Sequence, residues 1–295
     1  MTYLLHIFIL IGIYVILSVS LNLLAGYTGI LSMAHAAFYG IGAYVVALLA
    51  LSVHTPFILN ILLAIIAAGA FGAIVGIPSL RIKDDYFIIA TFAFQIITFS
   101  VLNNLVSFTG GPMGLPGIPQ PVIFGLKIDN HWSFLILTTI LAVFTYFIAN
   151  RIVSSPYGRI LKAIREDEVF TQSLGKNVAA FKVKIFMVSA ALASIAGVLY
   201  ATYITYIDPT SFTVNESIFI ISIVIIGGAG NLKGSVVGAI VLVMLPELLR
   251  FVGLPNSVAA NIRQMLYGGL LVVFMLWRPR GFIGEYSFNR NSENE

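Results

Sequence analysis

LLHIFILIGIYVILSVSLNLL, residues 4–24, contains no Asp, Glu, Lys or Arg, and neither does any other stretch before Arg81. About 20 apolar residues in a helix cross the hydrocarbon core of a bilayer. Eighty successive positions without a charged side chain cannot supply the outside of a water-soluble fold. The whole chain of 295 residues is 59% hydrophobic and 9% charged, where soluble domains carry about 25% charged residues. The sequence therefore predicts an all-α fold: a polytopic transmembrane helical bundle forming one membrane domain over 1–295. Met1 to His6 carry no Lys or Arg, so the first apolar block is read as a spanning helix rather than a cleaved leader.

Moving outward from that block, further spans are expected at 30–51, 57–77, 86–106, 131–150 and 184–206. Short apolar blocks follow at 215–226 and 235–249, and a last span at 262–277. That makes about nine spanning helices, with eight to ten tolerable. The run from Thr109 to Pro119 holds four glycines and three prolines, which excludes a regular helix or a central strand. With the N-terminus outside and the C-terminus cytoplasmic, thirteen Lys and Arg fall on inward segments and Lys127, Arg250 and Arg263 fall outside. This is the positive-inside bias of a plasma-membrane protein.

Composition also excludes functions. No cysteine is present, which removes disulfides and thiolate ligands, and four scattered histidines do not make a metal centre. The net charge of +4 belongs to loops facing the cytoplasm rather than to a nucleic-acid interface. No glycine loop ends in Lys-Ser or Lys-Thr, so the chain has no ATP site of its own. His35 has no acid in its own helix to orient it, and a packed or helix-terminal histidine is the simpler reading. Glu216 and Glu247 are expected near outer helix ends, and no central acid–histidine relay for proton coupling is present.

Two groups of residues are candidates for the translocation pathway. Asn22, Gln95, Asn103 and Asn104 are amides within or at the ends of apolar blocks; each either bonds a neighbouring helix or contacts the passing solute. Gly227, Gly228 and Gly230, in a run that continues through Asn231 and Lys233 to Gly234, point to a broken or shallow segment. The same glycines would also fit an ordinary tight turn.

The charged segment 151–183 is the longest outside the bilayer. Ser155 fits an N-cap, Pro156 the first helical position and Gly175 a left-handed C-terminal cap. Gly158 weakens the first turn, which predicts a helix over about 159–175. Ile160, Leu161, Ile164 and Leu174 give it a partly apolar face. The Lys162–Glu166 pair contributes only about 0.2–0.5 kcal/mol. Either the helix lies as a solvated connector against its own bundle, or its exposed face docks a soluble partner.

Several stretches together resemble the M-type membrane subunit of the branched-chain amino acid ABC transporter permease family. They are the runs from Leu21 to Gly29, Ser32 to Tyr44, Asp85 to Phe87, Thr109 to Pro119, Arg159 to Gly175 and Gly227 to Gly234, and Pro246 to Arg250. The resemblance spans nearly the whole chain. It implies a bacterial or archaeal inner-membrane subunit that forms half of the translocation pathway for leucine, isoleucine or valine. It implies as partners a second related permease, two cytoplasmic ATPases holding ATP and Mg, and an extracytoplasmic substrate-binding protein. The chain itself would hold no cofactor and would not be an enzyme.

The same resemblance makes the region from Ala163 to Gly175 the coupling segment that docks into an ATPase groove. Arg165, Glu166 and Asp167 would act in electrostatic docking, Ile164 and Leu174 in packing, and Gly175 in the turn. A permease for urea or short amides is the alternative, and a stand-alone carrier or channel a more distant one.

Overall fold

The computed structural model describes residues 2–79, 84–123, 125–250, 265, 268–274, 276 and 281–283. Eleven helices lie within residues 2–250. They are α1 (Thr2–Thr28), α2 (His35–Ser52), α3 (Phe57–Ser79), α4 (Asp84–Asn104), the short α5 (Val106–Thr109), α6 (His131–Ser154), α7 (Pro156–Glu166), α8 (Glu168–Ser173), α9 (Val178–Ile204), α10 (Val214–Gly227) and α11 (Leu232–Arg250). The glycine–proline run after α5 forms a 3₁₀ turn and then β1 (Leu115–Pro116). Two further short strands, β2 (Val122–Ile123) and β3 (Leu126–Lys127), pair with each other, and β1 pairs with β4 (Tyr206–Ile207).

α1 is apolar on all sides, and a helix of that kind belongs at the centre of a bundle. Ile9, Ile13, Ile16, Leu17, Leu21 and Leu24 are all fully buried, and α6, α7, α9, α10 and α11 pack around them. α2 and α9 approach so closely that their backbones touch. A Cβ on Gly42 would strike the Ser194 carbonyl, and one on Gly197 would strike the Tyr39 carbonyl. Small residues at such crossings are how membrane helices gain packing without a hydrophobic drive between them. α3, α4 and α6 turn Ile66, Ile74, Ile97, Ile140 and Phe147 outward, an apolar rim suited to lipid.

Six helices, α1, α2, α3, α4, α6 and α9, are long and apolar enough to cross a membrane. The two blocks expected as separate crossings at 215–226 and 235–249 are instead α10 and α11, one pair bent by 120° across a break of a few residues. The glycines between them end one helix and let the chain turn back. Six or seven candidate spans are therefore present among the described residues, rather than nine. Of the expected last span at 262–277, residues 265, 268–274 and 276 are described and helical, and the others lie outside the described residues.

The second span also starts later than expected, because residues 29–34 are not helical and α2 opens at His35, beside Ser20 of α1. His6 of α1 and Tyr203 of α9 meet at one end of the bundle, 2.9 Å apart. α7 and the α10–α11 turn meet the other end of α1.

Candidate coupling elbow and polar seam

The charged segment folds into two helices rather than one. α7 begins at Pro156, earlier than expected, and the Ser155 hydroxyl accepts from the Gly158 amide. Gly158 does not delay the helix; its missing side chain lets α7 turn sharply from α6, because a Cβ there would strike the Val153 carbonyl. The break comes at Asp167, whose backbone is extended (φ −152°, ψ 107°) and whose carboxylate caps α8 by accepting from the Phe170 amide at 2.9 Å. Gly175, at φ 76°, then takes the left-handed conformation that β-carbon sterics disfavour. Together α7 and α8 form an elbow.

α7 is braced against the end of α1. Leu161 and Ile164 are buried, and Lys162 Nζ stands 5.5 Å from the centre of the Tyr27 ring. Arg165 donates to the Gly26 carbonyl at 2.7 Å and pairs with Glu166 at 2.8 Å. That carbonyl is one of the last on α1, where helix acceptors lack intrahelical donors and a cation is favoured. Tyr157 donates to the Phe181 carbonyl at 3.0 Å, and burial pushes its phenol up to about 12, so it remains a donor at ordinary pH. Glu168 pairs with the buried Lys182 at 2.6 Å, tying α8 to α9.

The six residues expected to couple thus divide. Ile164 packs inside, Arg165 and Asp167 hold the elbow itself, and Gly175 makes the turn. Glu166 stays outward with its side chain 64% exposed. Leu174, expected to pack, is 62% exposed and stands with Val169 and Phe170, which are 75% and 60% exposed. Sequence reading missed Val169 and Phe170. Their signal was an apolar pair inside an otherwise polar loop, and the Asp167 cap is what turns it outward.

The expected pathway residues do not converge on one lining. The Asn22 amide donates to the Asn231 carbonyl at 2.9 Å and to Ser235 Oγ at 2.6 Å, and its Oδ1 accepts from the Gly230 amide at 3.0 Å. Asn22 is therefore fully engaged in holding the α10–α11 turn against α1. Gly227 packs against Gly234 and Gly238 without intervening side chains, while Gly228 (φ 122°) and Gly230 (φ 79°) turn the chain.

Gln95, halfway along α4, donates to the Phe212 carbonyl at 2.7 Å and accepts from Ser217. Asn103 is half-buried near the end of α4, two turns from Gln95. Asn104 bonds Ser100 on its own helix. His35 is a packed histidine at the start of α2, with Nε2 2.9 Å from Ser20 Oγ.

Glu216 differs most from expectation. It stands at a helix end, in the first turn of α10, but that end is within the bundle: Tyr14, midway along α1, donates to its Oε1 at 2.6 Å. α10 thus begins inside the bundle, which block length alone does not reveal. The side chain of Glu247 lies outside the described residues.

Residues 3–275 match the protein family described as the branched-chain amino acid transport system permease component. The chain is 36% identical to the high-affinity branched-chain amino acid transport system permease protein LivM of Escherichia coli, over 92% of this chain and 68% of that protein. It is 28% identical to a probable LivM of Methanocaldococcus jannaschii, over 93% and 91%. It is also 26% identical to LivH of Salmonella typhimurium, a permease protein of a high-affinity branched-chain amino acid transport system, over 92% and 91%. No solved structure matches.

Proposed function

The chain belongs to the branched-chain amino acid transport permease family, and from that premise we propose that it is half of the translocation pathway of an ATP-driven importer for leucine, isoleucine and valine. The observation that carries this reading is the 36% identity to LivM across 92% of the chain. The family's members are permease components of a transport system rather than enzymes. The other half of the pathway would be a second related permease. Two cytoplasmic ATPases would hold ATP and Mg, and an extracytoplasmic protein would deliver the solute.

In this reading the N-terminus is outside, the C-terminus is cytoplasmic, and block 262–277 adds a further crossing after the bent pair. The elbow then faces the cytoplasm, with Val169, Phe170 and Leu174 as its apolar docking edge and Glu166 as a charged rim. Exposed apolar side chains clustered on a polar segment favour a protein partner. Movement of that edge is passed to α1 by Arg165, which bonds Gly26. One turn away, Asn22 carries it to the α10–α11 turn. Shifting this turn opens the pathway alternately to each side.

Uptake by the reconstituted importer tests the cargo, with radiolabelled leucine, valine and urea compared side by side. Leucine and valine are expected to accumulate only when every subunit and ATP are present. Entry of urea while both amino acids fail would reassign the cargo to short amides. Transport by the purified chain alone would make it a carrier or channel.

A further inference from the structure

We propose that Glu216 recognises the α-ammonium group of the cargo within the membrane. This rests on the function proposed above and assigns it a residue. The first observation is depth. Tyr14, which holds the carboxylate, lies eight positions from His6 and twelve from Gly26 on α1, roughly 12 Å and 18 Å along the axis. With a hydrocarbon core about 30 Å thick, Glu216 falls inside it, on the side nearer His6.

The second observation is charge. Among the described residues, Tyr14 is the one hydrogen-bond partner of the Glu216 carboxylate, and no ion pair includes it. A carboxylate at this depth is costly unless a cation meets it, and intramembrane acids accordingly mark pathways. The cargo carries such a cation.

The third is access and surroundings. Glu216, Tyr14, Tyr200 and Ser211 are all partly exposed, and Asn215 beside them is exposed. Glu216 therefore stands at the edge of the packed interior of this chain instead of deep in its core. Phe219 stands edge-on to Tyr14 at 5.1 Å, and Tyr39 and Tyr200 pack against Phe212 with ring centres 5.0 and 6.1 Å away. Both tyrosines lie within electrostatic reach of the carboxylate. Aromatic faces attract a cation and also accept a branched aliphatic side chain. The site thus suits the ammonium and side-chain portions of leucine, isoleucine or valine, with Tyr14 as a positioning residue.

The test uses the complete importer in proteoliposomes and reads leucine uptake together with ATP hydrolysis. Glu216→Gln, which removes the charge and keeps the shape, is expected to lower leucine delivered per ATP at least tenfold. Glu216→Asp is expected to stay within about threefold of the parent, and Tyr14→Phe to lose about threefold. Unchanged delivery per ATP in Glu216→Gln would overturn the assignment. So would loss of the sister permease from the purified complex in Glu216→Gln but not in Glu216→Asp, because Glu216 would then pair with a cation of that subunit. A parent importer that moves no leucine would overturn this proposal and the proposed cargo together, whereas normal parent uptake with an indifferent Glu216→Gln overturns this one alone.

Discussion

At the scale of single residues, Arg165 shows how charge in the elbow can be consumed internally. Its guanidinium joins α7 to the last turn of α1 through the Gly26 carbonyl. Hydrogen bonds to charged groups contribute about 1.5–3 kcal/mol. Arg165→Ala is accordingly expected to destabilise the purified permease by that order, read as a lower midpoint in thermal unfolding. Phe170 has the opposite placement, 60% exposed with its amide fixed by Asp167. Phe170→Asp and Glu166→Lys are each expected to reduce the amount of ATPase that co-purifies, at unchanged membrane insertion, and the aromatic substitution should have the larger effect. Equal ATPase recovery in both variants would remove the elbow's outer edge as the docking site.

At the scale of elements, two crossings and one turn organise the bundle. The α2–α9 crossing leaves no room for any side chain at Gly42 or Gly197. Gly197→Val is expected to prevent this packing outright, seen as aggregation instead of a monodisperse peak on size-exclusion chromatography. A well-behaved variant would mean that the helices do not touch. The presence of α2 and α9 was legible from apolar block length, and their crossing was not, because many glycines sit in apolar blocks and only some face a neighbour. The elbow's caps were legible in part. Ser155, Pro156 and Gly175 act as the sequence predicts, but the break at Asp167 arises from an aspartate used as a cap in mid-segment.

At the scale of the whole molecule, the distribution of ends is the testable quantity. The elbow, the end of α1 and the α10–α11 turn share one end of the bundle, while His6 and His131 stand at the other beside Tyr203. The chain contains no cysteine, so each introduced one is a unique label. In intact cells, His131→Cys is expected to react with a membrane-impermeant maleimide and Glu166→Cys to react only after the membrane is opened. The reverse pattern would invert the topology and place the elbow beyond the reach of cytoplasmic ATPases.

Composition, charge asymmetry and block length determined that this protein is a helical membrane bundle with one charged elbow, because the bilayer penalises every unpaired backbone group and charge in the same way wherever it occurs. Which helix lies at the centre, where Asn22 and Arg165 find their partners, and that Glu216 meets Tyr14 midway along α1 were decided only by tertiary packing. Those outcomes depend on contacts between positions up to about two hundred residues apart, and no local pattern encodes such pairings. The bend between α10 and α11 lies between these extremes. Its glycines announce a break, and only their packing against α1 decides how sharply α11 turns away from α10.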